Sequence, residues 1–373
     1  MKICHVTSVH SYNDIRIAIK ECTSLADTNR DVHLIAPNTD TKSFNGFKVY
    51  GVKNRYSGRI KRFRNFSNDI YLEALKVDAD IYHFHDPELI PIGLKLKKQN
   101  KKVVYDIHED VPRQILTKHW IPKPLRKLIS YAFEIYENQS VKKLDGLVTA
   151  TPFIKKRFKK YNKNTIDVNN YPIMKELYVS SSSNCNKDNT VVYIGGISKE
   201  RGSYSMVKAI GKTETTLTLA GNFRDEREEV ELKMLDEWEK VNFLGYLDRK
   251  EIKGLLETAL AGLVVLEPRT NFIDSLPIKM FEYMATGLPV IASNFPLWKE
   301  IIEGNNCGIC VDPLNTDEIA NAIQWIKDNP IKAAEMGENG KKAIKEHYNW
   351  ESESKKLQKF YDDLLKPRNL EKN

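Results

Sequence analysis

Asp274 and Glu282 form a D-x7-E pair inside NFIDSLPIKMFEYMATGLPVIAS, residues 271–293. Pro277 suits the first turn of a helix, so the spacing predicts Asp274 just outside a helix N-terminus and Glu282 about two turns in. The unpaired N–H groups of such a terminus, with the helix dipole, attract an anion. A carboxylate on either side can accept hydrogen bonds from vicinal hydroxyls. Polyol, diphosphate, polyol is the order in which a nucleotide-sugar presents its groups. An ordinary amphipathic helix carrying two solvated acids is the competing reading.

Other residues have chemistry available. YIGGISKERG, 193–202, follows an apolar run; Gly195 and Gly196 allow close backbone approach to a ligand. Arg201 offers a planar guanidinium suited to bidentate phosphate contact, with Lys199 and Lys279 as further cations. In YDIHED, 105–110, His108 ends a strand pattern and should point off its carboxyl end, followed by Glu109 and Asp110. In HFHDPEL, His83 and His85 share one face of a strand and Asp86 follows. Two histidines and a carboxylate are a known iron or zinc set. No third, distant ligand is evident, so a structural or binding role is expected and no metal. In HSYNDIRIAIKE, 10–21, Asp14 reads as a helix cap and Arg16 as a group able to reach an anion. No G-x-G-x-x-G occurs, which argues against a nicotinamide or flavin dinucleotide. CGIC, 307–310, has C-x-x-C spacing but reads as packing.

These residues need elements to hold them. Apolar runs at KICHVTSV, VHLIAP, FKVYGV, DIYHFH, KVVYDI and GLVTA predict strands, alternating with helical patterns at 14–28, 61–77, 87–99 and 123–143. TVVYIG, TLTLAG, VNFLG, GLVVLE, LPVIAS and CGICV repeat the plan, with helices near 202–211, 225–239, 248–258, 276–286 and 296–303. Residues 314–366 read as helical and SSSSNCNKDN, 180–189, as a linker. Alternation of this kind predicts α/β architecture with two Rossmann-like domains, each a covered parallel sheet. Ligands of such sheets bind at the carboxyl ends of the strands, and two domains facing each other would form a cleft.

The chain has 373 residues, 41% of them hydrophobic and 29% charged, enough for two cores. No apolar run is long enough to span a bilayer, and no signal peptide is expected at MKICHVTSVH. Five scattered cysteines fit a reducing cytoplasm. The first 170 residues carry 31 Lys and Arg against 18 Asp and Glu, whereas the other 203 carry 27 against 32. The basic first half, with RIKRFR (59–64), KLKKQNKK (95–102) and KKRFKK (155–160), suggests an anionic partner such as a membrane surface; no nucleic-acid motif is present.

FEYMATGLPVIAS with its D-x7-E, the opening HVTSVH, DIYHFHDPEL and VNFLGYL together resemble the family 4 glycosyltransferases of the GT-B fold. The family motif is E-x7-E, so Asp274 departs from it by one methylene. The resemblance implies a metal-independent, retaining glycosyltransferase using a nucleotide-diphosphate sugar, with a uridine nucleotide favoured and no cofactor. It implies an acceptor domain over 1–175, a donor domain over 188–348, and a terminal helix over 349–373 that returns to the first domain, with Trp350 as an anchor. Donor contacts fall on Gly195, Gly196, Lys199, Arg201, Tyr246, Leu247, Asp274, Ser275, Leu276, Lys279 and Glu282. The catalytic set is His108, Arg201 and Asp274; Arg16, His85, Asp86 and Glu109 are acceptor-side. Gly196 stands where relatives carry the first basic residue of a diphosphate clamp. The acceptor is expected to be a saccharide, lipid-linked, in O-antigen, capsule or exopolysaccharide assembly, with peripheral attachment to the inner membrane face. A nucleotide-sugar epimerase or a non-catalytic nucleotide-sugar binding protein is the alternative.

Overall fold

The computed structural model describes residues 1–58, 61–118, 121–174 and 187–366. Most of the linker expected at 180–189, and the start of the 59–64 basic run, lie outside the described residues. The chain forms two compact units, Met1–Asn170 with Glu351–Asn373, and Tyr171–Trp350.

The first unit holds eight strands: β1 (Lys2–Val6), β2 (Asp31–Pro37), β3 (Lys42–Phe44), β4 (Phe47–Val52), β5 (Ile81–Phe84), β6 (Lys102–Ile107), β7 (Gly146–Thr149) and β8 (Thr165–Asp167). Their order is β3-β4-β2-β1-β5-β6-β7-β8, parallel except for the β3–β4 hairpin. One face carries Cys4, Val6, Tyr82, Phe84, Val103 and Tyr105 under the helices Ser67–Val77 and Ile90–Lys98. The opposite face carries His5 and His83, which are register partners on β1 and β5. The helix Ile15–Cys22 starts where Asp14 caps it, its carboxylate accepting from the N–H groups of Arg16 and Ile17 at 2.9 Å. The terminal helix Trp350–Leu365 contributes Phe360 against Gly146 and Tyr361 against His83.

The second unit holds β9 (Thr190–Ile194), β10 (Thr216–Ala220), β11 (Val241–Gly245), β12 (Ala261–Val264), β13 (Val290–Ser293) and β14 (Gly308–Val311), all parallel, in the order β11-β10-β9-β12-β13-β14. This is the doubly wound order, reversing between β9 and β12. Strand residues alternate between two apolar layers. Val192, Ile194, Val264 and Val290 meet Phe281, Met284 and Trp298, whereas Val191, Tyr193, Leu217 and Leu263 meet Met206, Val207 and Ile323. Both faces are covered, so the strands read as continuous apolar runs rather than alternating ones.

The predicted helix at 276–286 begins later, at Ile278, with Pro277 as its N-cap. Proline disfavours helical backbone in the residue before it, which keeps Leu276 and Ser275 in the preceding loop. Gly287, at φ 74°, ends the helix in the left-handed conformation that glycine adopts freely. Among the described residues no helix is long and apolar enough to cross a membrane.

Candidate functional site

In the second unit the loop after β9 gathers cations. Gly195 has φ 119°, and a Cβ there would lie 3.1 Å from the Lys279 Nζ. A Cβ on Gly196 would lie 3.3 Å from the Arg224 Nε. Lys279 comes from the first turn of the Ile278–Thr286 helix and lies over the Tyr193 ring, 3.4 Å from its centroid. Its amine is buried and has no hydrogen-bond partner among the described residues. Burial, and then the Arg201 guanidinium, push its pKa well below the ordinary value. Arg201, from the loop after β9, and Arg224, from the loop after β10, both act on Tyr193. Gly202 closes the loop at φ 79°, where a Cβ would meet the Val265 carbonyl oxygen at 1.9 Å.

Arg224 is a residue that sequence reasoning missed. It sits beside the glycine that occupies the first basic position of the expected clamp, contributed by the loop after β10 instead of the loop after β9. GNFRDE carries no spacing signal toward YIGG; only the β9–β10 pairing brings the two together.

Glu282 is buried, and its Oε1 accepts from Arg249 Nη1 at 2.6 Å. Asp274 is half-buried and closes the short helix Thr270–Ile273. Ser275 donates to the Phe272 carbonyl at 2.8 Å, and its own carbonyl accepts from Trp298 Nε1 at 2.7 Å, which fixes this loop to the core. Leu276 and Leu247 pack against the core, whereas Tyr246 is exposed. Lys199 is exposed, with its Nζ 5.6 Å from the Tyr204 ring.

In the first unit the ends of β1, β5 and β6 converge on a buried polar cluster. Asp106 is at its centre. Arg16 donates to it twice, Nε to Oδ2 and Nη2 to Oδ1, each at 2.9 Å, and Nη1 donates to the Val168 carbonyl at 2.8 Å. His85 Nδ1 lies 3.2 Å and His108 Nε2 3.0 Å from Asp106 Oδ2. Burial opposes ionisation, yet Arg16 and then His108 hold the Asp106 carboxyl well below the usual range. His108 keeps a partly open ring, its side chain 19% exposed. His10, another residue not singled out from sequence, faces it at a ring distance of 5.4 Å, between Asp14 at 3.3 Å and Asp86 at 3.4 Å. Hydrogen bonding to Asp14 raises the His10 pKa.

Three expected acceptor-side groups are otherwise engaged. Arg16 is 5% exposed and its guanidinium is committed to Asp106 and Val168, so it orders the cluster rather than reaching outward. His85 is buried beneath His108. Asp86 is buried and accepts from the Ser8 N–H at 2.6 Å and the Thr7 hydroxyl at 2.8 Å, which pins the loop after β1. Glu109 is exposed and hydrogen-bonded to Gln114. The absence of a distant partner for His83 and His85 also gives way: His5 and Glu21 join them within 4.8 Å, ligand atom to ligand atom.

Residues 16–168 match the family model described as Glycosyltransferase Family 4, and residues 175–343 match Glycosyl transferases group 1. An uncharacterized glycosyltransferase of Methanocaldococcus jannaschii is 27% identical over 177 residues, 46% of this chain and 44% of that protein. The matched stretches span less than half the length of the curated relatives. In fold, the chain is similar to sucrose-phosphate synthase from Thermosynechococcus elongatus, with TM-score 0.78 and 18% identity over 98% of this chain and 99% of that one. It is also similar to Anabaena HepE in complex with UDP-glucose, with TM-score 0.72 and 14% identity over 97% and 100%. These likenesses establish the GT-B fold, and with both halves matched by the family's two domain models, the chain belongs to glycosyltransferase family 4.

Proposed function

We propose that the protein transfers a hexose or N-acetylhexosamine, with retention, from a nucleotide-diphosphate sugar to a saccharide acceptor. The observation that carries this reading is the Lys279 amine, buried without a hydrogen-bond partner among the described residues, beside Arg201, Arg224 and the two loop glycines. Burial disfavours the charged form of this amine, and a bound anion would favour it. A diphosphate supplies one. In this reading Glu282, one helical turn beyond Lys279 and paired with Arg249, takes the ribose diol, and Asp274, which precedes the same helix, takes sugar hydroxyls. Anabaena HepE binds UDP-glucose, which supports a uridine nucleotide.

In this reading the anomeric C–O bond breaks as the diphosphate leaves, and the acceptor hydroxyl bonds to the anomeric carbon on the same face. The leaving diphosphate oxygen takes the acceptor's proton. Arg201, Arg224 and Lys279 neutralise the charge that grows on the leaving group, a task done by preorganised charge. His108, polarised through Asp106, serves the cationic sugar ring. No divalent cation has a part in this transfer step.

The acceptor is proposed to be lipid-linked, met at an anionic membrane surface in cell-surface polysaccharide assembly. Several cations of the basic runs that suggested this from sequence are paired internally: Lys97 with Asp145 at 2.8 Å, Lys155 with Asp167 at 2.6 Å, Arg157 with Asp110 at 2.8 Å. Better support comes from the helix Lys123–Val141. Leu125, Leu128, Ile129, Ile135 and Tyr136 follow the i, i+3, i+4 spacing of a core-facing stripe, yet all are exposed, Leu128 at 63%. Lys123 and Lys127 flank the stripe. Apolar residues on one helical face with cations beside them suit an anionic lipid interface.

Thermal shift with UDP-, GDP- and ADP-sugars against wild type and Glu282→Ala tests the donor site. One nucleotide-sugar should raise Tm by mass action, without added magnesium, and the variant should lose the rise. No shift with any of them would overturn the reading.

A further inference from the structure

We infer that His5, Glu21, His83 and His85 bind a first-row transition-metal ion, zinc by its geometry, as a structural centre in the first unit, separate from the diphosphate-binding loop. All four side chains are fully or almost fully buried. The Oε2 atom of Glu21 stands 3.6 Å from His5 Nδ1, 3.9 Å from His83 Nδ1 and 4.0 Å from His85 Nε2. These are too long for hydrogen bonds. They are close to the edges of a tetrahedron around one ion, which for Zn–N and Zn–O bonds measure about 3.4 Å. His5 Nδ1 and His85 Nε2 are 2.9 Å apart, a hydrogen bond without an ion and the short edge of the same set with one bound.

Among the described residues neither oxygen of Glu21 has a hydrogen-bond partner, and His83 Nε2 has none. A fully buried carboxylate left without one is expensive, and it faces three ring nitrogens that all carry lone pairs when they ligate. Charge points the same way. Arg16 is shared between Asp106, at 2.9 Å, and Glu21, at 3.2 Å, so the second buried carboxylate needs either a further cation or a proton. Three nitrogens and one carboxylate, without sulfur, form a donor set suited to zinc and its first-row neighbours.

The outer contacts fit a metal site. The far nitrogen of His85, Nδ1, lies 3.2 Å from Asp106 Oδ2, the carboxylate–histidine–metal arrangement that fixes a ligand's tautomer. Tyr361 from the terminal helix lies 3.3 Å from His5 Nε2 and is hydrogen-bonded to His83 Nδ1, so its O–H must turn from that nitrogen when His83 ligates. Through His85 and Asp106 the ion would set the orientation of His108, so it acts as a positioning centre.

The alternative occupant of the same space is a proton shared by Glu21 and Asp106. Elemental analysis of the full-length, untagged wild type after exhaustive dialysis separates the two. About one zinc per chain is expected, falling to below about 0.1 in His83→Gln and Glu21→Gln. Should those variants fail to fold, wild type stripped with a chelator and titrated with Co2+ keeps the question open to test. Saturation at one equivalent with the visible bands of tetrahedral cobalt, displaced by Zn2+, supports the site. Metal-free wild type that gives no cobalt bands and no Tm rise with Zn2+ overturns it in favour of the proton. Neither readout depends on the sugar donor, so failure here leaves the donor reading intact, and a failed donor screen leaves this one.

Discussion

Lys279 carries a testable consequence of its burial. Its folded pKa lies below the ordinary 10.5, so between the two values the unfolded chain binds a proton that the folded chain does not. Stability should therefore rise with pH across that window, and Lys279→Met should flatten the slope in urea melts. Diphosphate binding should restore the charge, so donor binding takes up a proton, seen as a buffer-dependent heat in calorimetry. Arg224 belongs to the same argument. Removing one charge-assisted contact costs about 1.5–3 kcal/mol. Arg224→Ala should lower kcat/KM for the donor roughly ten- to hundredfold while leaving Tm of the free protein unchanged. Equal kcat/KM would assign the guanidinium to the surface.

Two elements make separate predictions. The loop after β9 depends on Gly202, at φ 79° with the Val265 carbonyl 1.9 Å from a built Cβ. Gly202→Ala should cost more than about 1 kcal/mol, read as a fall in the denaturation midpoint. The Lys123–Val141 helix exposes its apolar stripe, so Leu128→Asp with Ile129→Asp should abolish flotation with anionic vesicles at low salt. Both positions are exposed, so Tm and the donor-induced shift should be retained. Wild type that does not float even at low salt removes the membrane from the account. The helix was legible in sequence as an element over 123–143; that its apolar stripe would be left uncovered was not, because periodicity reports a stripe without saying what packs on it.

At the scale of the molecule, the chain leaves the first unit at Asn170 and re-enters it at Glu351. Residues far apart in sequence therefore share one core. Phe360 is 7% exposed and packs on Gly146, and Glu353 accepts from the Asn169 N–H at 2.9 Å. Phe360→Ala should cost about 3–5 kcal/mol. Scanning calorimetry should show the transition of the first unit falling while that of the second, and its rise with nucleotide-sugar, persists. A single transition lowered as a whole would mean that the units unfold together.

The sequence by itself determined the strands, most helices and the two-unit α/β plan, since these rest on local pattern: apolar runs, caps such as Asp14, and stops such as Gly287. It also offered Arg201, Glu282, Asp274 and His108 as candidates, each from its own short local motif. Tertiary structure alone decided what meets across strands. The β1–β5 register sets His5 against His83, the Ile15–Cys22 helix brings Glu21 beneath them, and the β9–β10 pairing sets Arg224 beside Gly196. Such meetings follow from strand order, a long-range choice made by the whole core, and spacing along the chain does not encode them.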